Sequence, residues 1–412
     1  MAKIFDLHAR EILDSRGFPT IEVFLSTETV SVRSSVPSGA SVGATEAHEL
    51  RDEDSARYGG KGVLHAVNYV SGEIFDAVKG KEFDQAALDA FLMALDGTPN
   101  KSRLGANALL GVSLAFARAS AEEQLIPLYQ YLGTLGGYTT FTVPQPCFNV
   151  LNGGKHADSG LSIQEFMLIP VGFPTASRKI EAAAAVIAKL KGLLIAKGFS
   201  VGVGDEGGFA PKLASNEAAL DVLVEAILAA GYTTDQVKIG LDVAASEQYK
   251  NGAYVFDARG PIDATAVLEW YAGLLEHYPI ISIEDGFFEE DWAGFEAFTA
   301  RFGAQIRTVG DDLLTTNVAR INTAASHHAV NTALIKPNQV GTVSETIAAM
   351  QAARGLGWAL FASHRSGETV DSFIVDLAVG FSCEYLKVGS LARGERVSKY
   401  NRLMEIESEL TK

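Results

Sequence analysis

The chain has 412 residues, too many for one ordinary core and enough for a barrel with a second domain beside it. Its formal charge of −16, from 50 acidic against 34 basic residues, argues against a nucleic-acid surface, which needs a basic footprint. With two cysteines and no run near the ~20 apolar residues that span a bilayer, neither a disulfide framework nor a membrane span is expected.

Residues 20–25 and 29–36 are rich in β-branched and apolar types, which predicts a hairpin. A glycine-bearing loop follows at 37–43. Helices are expected near 62–79, 84–95 and 105–124, the last with Leu109, Val112 and Phe116 at roughly helical period. The stretch at 136–140 reads as a linker, giving an α+β N-terminal domain over 1–138 and a second domain over 139–412. From Val143 onward strands and helices alternate. A helix over 176–197 stops at Gly198, and Ser215 or Asn216 caps the next, which ends at Gly231. Such alternation predicts an α/β fold with a C-terminal (β/α)8-type barrel.

Within that half, short apolar runs keep ending on a functional side chain. Asp242, Glu284, Asp311, Lys336, His364 with Arg365, and Lys387 follow one another at intervals that fit a loop, a helix and the next strand. Groups at strand C-termini of a barrel meet on one face, so one cluster is expected. Asp242, Glu284 and Asp311 brought together repel unless a cation lies between them, and hard divalent cations, magnesium above all, prefer such oxygen ligands. Asp285 and Asp312 follow two of them; neighbours in extended chain point opposite ways, so one of each pair is expected to face a metal while the other orients a neighbour or lies outside the site. Lys336, buried near other cations, is expected to have a lowered pKa and to serve as a general base. Glycines at 202–208 suit a loop that carries Asp205 and Glu206 into a crowded site. A carboxylic acid there, close to another such as Glu165, is expected to be raised in pKa and able to protonate a leaving group. Arg365 and Ser366, in the turn opened by Ser363, suit a phosphate.

These residues fall in stretches that resemble the enolase family along nearly the whole chain. The stretches include Asp14-Ser-Arg-Gly17, Pro37-Ser-Gly-Ala-Ser41, Asn152-Gly-Gly, His156-Ala-Asp and Ile163-Gln-Glu-Phe-Met167. They continue through Gly204-Asp-Glu-Gly-Gly208, Ala244-Ala-Ser-Glu247, Ser282-Ile-Glu-Asp-Gly286, Gly310-Asp-Asp-Leu313, Leu334-Ile-Lys336 and Ser363 to Thr369, ending at Lys387. The resemblance implies a barrel whose first strands and helices depart from simple alternation. It implies dehydration of 2-phosphoglycerate to phosphoenolpyruvate, a glycolytic step, with two Mg2+ per active site. By position, Lys336 is the base, and Glu206 the acid with Glu165 in support. Asp242, Glu284 and Asp311 are implied as ligands of the first metal and Ser41 of the second. Arg365 and Ser366 are the implied phosphate clamp, Lys387 faces the substrate carboxylate, and His156, Gln164, Ser363 and His364 lie near the substrate.

Some positions depart from the family pattern. Val42, Val370, Pro337, Phe18 and Val388 replace the usual residues, and Glu405 stands where an arginine commonly helps a dimer contact. Two other readings follow: an enolase-like dehydratase acting on a phosphonate or carboxyphosphono analogue, and a non-catalytic binding protein on the same fold. The expected partners are a small phosphorylated acid and further copies of the chain, as a dimer or higher oligomer, with neither nucleic acid nor membrane. The opening residues lack a secretory core, so a cytoplasmic location is expected.

Overall fold

A computed structural model describes residues 1–39 and 43–412. The N-terminal part opens with an antiparallel meander of β1 (Asp6–Leu13), β2 (Pro19–Ser26) and β3 (Ser31–Ser35). The expected hairpin is thus the second half of a three-stranded sheet. Polar Asp6, His8, Arg10 and Glu11 hide β1 from a hydrophobic reading, because an edge strand buries little. Helix Ala106–Glu123 is apolar nearly all round and lies against this sheet. It approaches so closely at Gly111 that a Cβ there would meet Val23 Cγ2 at 2.5 Å.

The closed barrel contains β4 (Gln145–Asn152), β5 (Glu165–Pro170), β6 (Val237–Asp242) and β7 (Ile280–Glu284). It continues with β8 (Arg307–Gly310), β9 (Thr332–Ile335), β10 (Ala359–Ser363) and β11 (Tyr385–Lys387), which pairs with β4 to close the ring. Seven strands run in parallel; β5 is antiparallel to both neighbours. Cys147, Met167, Ile169, Val309, Leu334 and Phe361 form a separate small core from five of these strands. Between β5 and β6 the chain makes a helix pair, Ala176–Ala196 and Asn216–Ala229, capped by Thr175 and Ser215. The loop joining these helices carries Glu206.

The N-terminal part is bound to the barrel by buried polar contacts. Asp89 accepts from the Ser344 amide at 2.9 Å and from its hydroxyl at 2.6 Å. Lys101 pairs with Glu345 at 2.8 Å across the same seam. Within the barrel part, Lys399 holds Glu368 at 2.7 Å beneath the Ser363–Thr369 turn. No helix among the described residues is long and apolar enough to cross a membrane.

Candidate active site

Asp242, Glu284 and Lys387 are the last residues of their strands, while Asp311, Lys336 and His364 come one residue after theirs. Glu284 stands level with Asp242, and Ser363 with Lys387, so neighbouring rungs present their side chains at the same height. Glu165 reaches that rim differently. It is the first residue of the reversed strand, where antiparallel register sets it opposite both Asn152 and Asp242. Glu206 arrives on the loop of the helix pair. Hydrogen bonds of 2.9 Å join Phe209 N to Val150 O and Asn152 N to Phe209 O, stitching that loop along β4. Gly208 permits the stitch, since a Cβ would lie 2.7 Å from Asn152 Oδ1. Asn149 then donates to Glu206 Oε2 at 2.9 Å.

These elements enclose a polar pocket of about 260 Å3. It is lined by His156, Gln164, Glu165, Glu206, Asp242, Lys336, the Ser363–Ser366 turn and Lys387. Glu284 and Asp311 lie just beneath through the lysines. Lys387 Nζ donates to Glu284 Oε1 at 2.8 Å, Asp242 Oδ2 at 3.1 Å and Glu165 Oε1 at 3.4 Å. Lys336 Nζ is hydrogen-bonded to Asp311 Oδ2, and Gln339 Nε2 donates to Asp311 Oδ1 at 2.9 Å. Burial works against charge on both amines. The carboxylates outweigh it, raising Lys336 and holding Lys387 well above the lysine range. The fall expected for Lys336 from its sequence position is therefore reversed here, because Asp311 sits directly on the amine. Burial and Lys336 compete over Asp311 in turn, and the lysine holds that carboxyl below its ordinary range.

Glu165 and Glu206 share a second cluster with His156, whose Nδ1 lies 3.8 and 3.7 Å from them. Burial first, and then Glu206, push the Glu165 carboxyl well above the carboxylate range. Burial opposes charge on Glu206 as well, but His156 and His364 overcome it and hold Glu206 well below that range. Glu165 is thus the raised member of the pair, whereas the sequence reading raises the acid on the glycine loop. His364 Nε2 lies 3.2 Å from Glu206 Oε2, without the alignment of a full hydrogen bond. Burial drives His364 down to about 3 against the pull of Glu206, with help from Arg396. His364 therefore acts on Glu206 as a neutral dipole.

The Ser363–Thr369 turn faces the N-terminal part. Arg365 is buried and gripped at both terminal nitrogens by Glu46, at 2.9 and 3.2 Å, with Asn338 Oδ1 at 3.1 Å. Arg16 reaches Ser366 Oγ at 3.4 Å, and backbone bonds of 2.7 and 2.8 Å join Ser38 to Gly367. Ser41 and Val42 lie outside the described residues. Glu46, Asn149, Gln339 and Arg396 belong to the site but were not singled out from sequence. None ends a barrel strand: Glu46 lies in a loop, Asn149 inside a strand, Gln339 in a short 3-10 turn and Arg396 in the C-terminal helix.

The oxygen-rich donors suit a hard cation. Burial, and then Asp242, raise Glu284 well above its ordinary range, so its charged form needs a positive partner. Among the described residues Glu284 Oε2, Glu165 Oε2 and Gln164 Oε1 are buried without a hydrogen-bond partner. The tightest groupings of potential ligands are His156–Glu165–Glu206 and Asp285–Asp311–Asp312. Asp242 and Glu284 instead share Lys387, and Asp311 holds Lys336. Asp285 spends both oxygens on the amides of Asp311 and Asp312, at 2.9 and 2.7 Å, and so orients Asp311.

Two family models match the chain. One, described as the enolase N-terminal domain, covers residues 4–132. The other, described as the enolase C-terminal TIM barrel domain, covers residues 140–412.

Proposed function

The chain belongs to the enolase family, and from that premise we propose that it dehydrates 2-phosphoglycerate to phosphoenolpyruvate. One observation carries the reading: a buried amine and two neighbouring buried carboxyl groups line the same pocket, beside a buried arginine. In the proposed reaction Lys336 Nζ takes the proton from C2. The C3–O bond breaks, the C2–C3 double bond forms, and the departing hydroxide leaves as water with the proton of the Glu165–Glu206 pair. Arg365 and Ser366 hold the phosphate, and Lys387 balances charge around the substrate carboxylate.

Asp242, Glu284 and Asp311 would hold one magnesium ion, and Ser41 is the proposed protein ligand of a second. Bound there, magnesium would supply positive charge to a carboxylate that gains a second negative charge when C2 loses its proton; a lysine or histidine base beside one or two magnesium ions is the known pattern of this superfamily. Asp311 engaged as a ligand no longer pins the proton on Lys336. Burial, Arg365 and Lys387 then all favour the free amine.

An absorbance assay for phosphoenolpyruvate with magnesium and saturating 2-phosphoglycerate tests the proposal. Turnover that disappears on chelation supports it, and no product at any magnesium concentration rejects it.

A further inference from the structure

Arg396 lies in the C-terminal helix Gly394–Leu410, and its side chain is fully buried behind the pocket. Its terminal nitrogens are spent on two segments, the turn at His364–Ser366 and the loop at Asp205. One donates to the Arg365 carbonyl at 2.8 Å and lies 2.6 Å from His364 Nδ1. The other donates to the Ser366 carbonyl at 2.8 Å and the Asp205 carbonyl at 3.1 Å. A guanidinium only donates, so His364 Nδ1 must accept. A neutral imidazole accepting there carries its hydrogen on Nε2, the atom that faces Glu206. The backbone is shaped around the same side chain. Gly389 has φ +89°, and a Cβ on it would come within 2.7 Å of Arg396 Cδ.

We infer that Arg396 is a positioning residue for the acid side of the site: it locks His364 as the neutral Nε2–H tautomer and ties the Glu206 loop to the phosphate turn. The catalytic consequence rests on the dehydration proposed above; the tautomer does not. The charged groups facing His364 are Glu206 from the helix-pair loop, Arg396 from the C-terminal helix and Lys387 from β11. With Nδ1 occupied by a donor, the imidazole cannot take up a second proton. Glu206 then meets a dipole that cannot drain the proton it shares with Glu165. Without Arg396, Nδ1 is open and Glu206 pulls a proton onto the ring, leaving an imidazolium–carboxylate pair in place of a proton donor.

Two-bond 1H–15N spectra of the full chain with ring-labelled histidine test this without substrate, with the signal assigned by its absence in His364→Asn. The expected spectrum shows Nε2–H and no titration across roughly pH 5–8, the range in which an unperturbed histidine changes charge. In Arg396→Met, His364 is expected to titrate inside that window, and kcat to fall about 10–100-fold with little change in KM. A His364 that carries its hydrogen on Nδ1 or titrates in the unaltered chain overturns the inference, even if the variant fails to fold. So does an Arg396→Met spectrum identical to the parent's. If the chain turned over a different acid, the dehydration proposal would fail while the spectrum still decided this one.

Discussion

Two regions of this molecule bury charge, and they do so differently. At the seam between the N-terminal part and the barrel, Asp89 receives donors from Gln85 and Ser344, and Lys101 has Glu345. At the strand rim, Glu165, Glu284 and Gln164 each keep a buried oxygen without a donor. Burying a charge is costly unless its partners are complete, so a folded protein completes them wherever only stability is at stake. The carboxylates of Glu165 and Glu284 stay open at that rim, where a bound ligand would complete them, whereas the unpaired atom at the seam is the neutral amide oxygen of Gln85. The rim's two lysines repeat the contrast on a smaller scale. Among the described residues Lys387 pairs with three carboxylates and Lys336 with Asp311 alone, so the charge of Lys336 hangs on what Asp311 is doing.

The contrast can be broken by substitution. Lys336→Ala is expected to lower turnover about 10²–10⁴-fold while leaving the denaturation midpoint nearly in place, read by the phosphoenolpyruvate assay and urea unfolding together. An active variant would remove Lys336 from the base role. Lys387→Met leaves three buried carboxylates without their shared ammonium, and a loss of about 3–5 kcal/mol is expected in magnesium-free urea titrations. That loss should shrink when magnesium is added, whereas a magnesium-independent loss would place Lys387 with the seam. Lys101→Met, a true seam variant, is expected to cost about 1.5–3 kcal/mol, the scale of a hydrogen bond to a charged group, with kcat and magnesium response unaltered.

The smallest effect concerns pH. Burial raises the folded-state pKa of Asp89 above its unfolded value, although Ser113, Ser344 and Gln85 pull it back. The folded chain then holds a proton that the unfolded chain releases. This contribution is fully present below the unfolded pKa of about 4 and is lost as pH rises through the folded one. Asp89→Asn should therefore gain stability relative to the parent as pH rises from acid toward neutral. Its new amide can meet Gln85 Oε1, which has no partner at present. Unfolding free energies with the same pH slope in both proteins would show that Asp89 is not the titrating group.

Much of the rim was legible because a barrel strand that ends on a charge leaves a mark: an apolar run, then Asp242, Glu284, Asp311, Lys336 or Lys387. The capped helix pair was equally visible from Ser215, Gly198 and Gly231. The reversal of β5 was not visible in the residues themselves, because a buried strand reads the same in either direction; only the family likeness implied a departure there. Arg396 was hidden for a related reason. Its helix is polar on average, and nothing in its spacing separates a guanidinium that enters the core from one that meets water. The protonation of Lys336 depends on the distance to Asp311, 25 residues away in the chain, which no local pattern specifies.

The reversed strand has a consequence for how such an enzyme can change over generations. A strictly alternating barrel would hang each rim residue on its own strand-to-helix connection. Here Glu165 hangs on a hairpin and Glu206 on a detour of two helices, while Asp242, Glu284 and Asp311 stay on three consecutive rungs. Insertions or deletions in the detour can shift Glu206 without touching the carboxylates on those rungs. The two halves of the rim are therefore free to drift separately, and a lineage can re-aim Glu206 over an unaltered row of carboxylates.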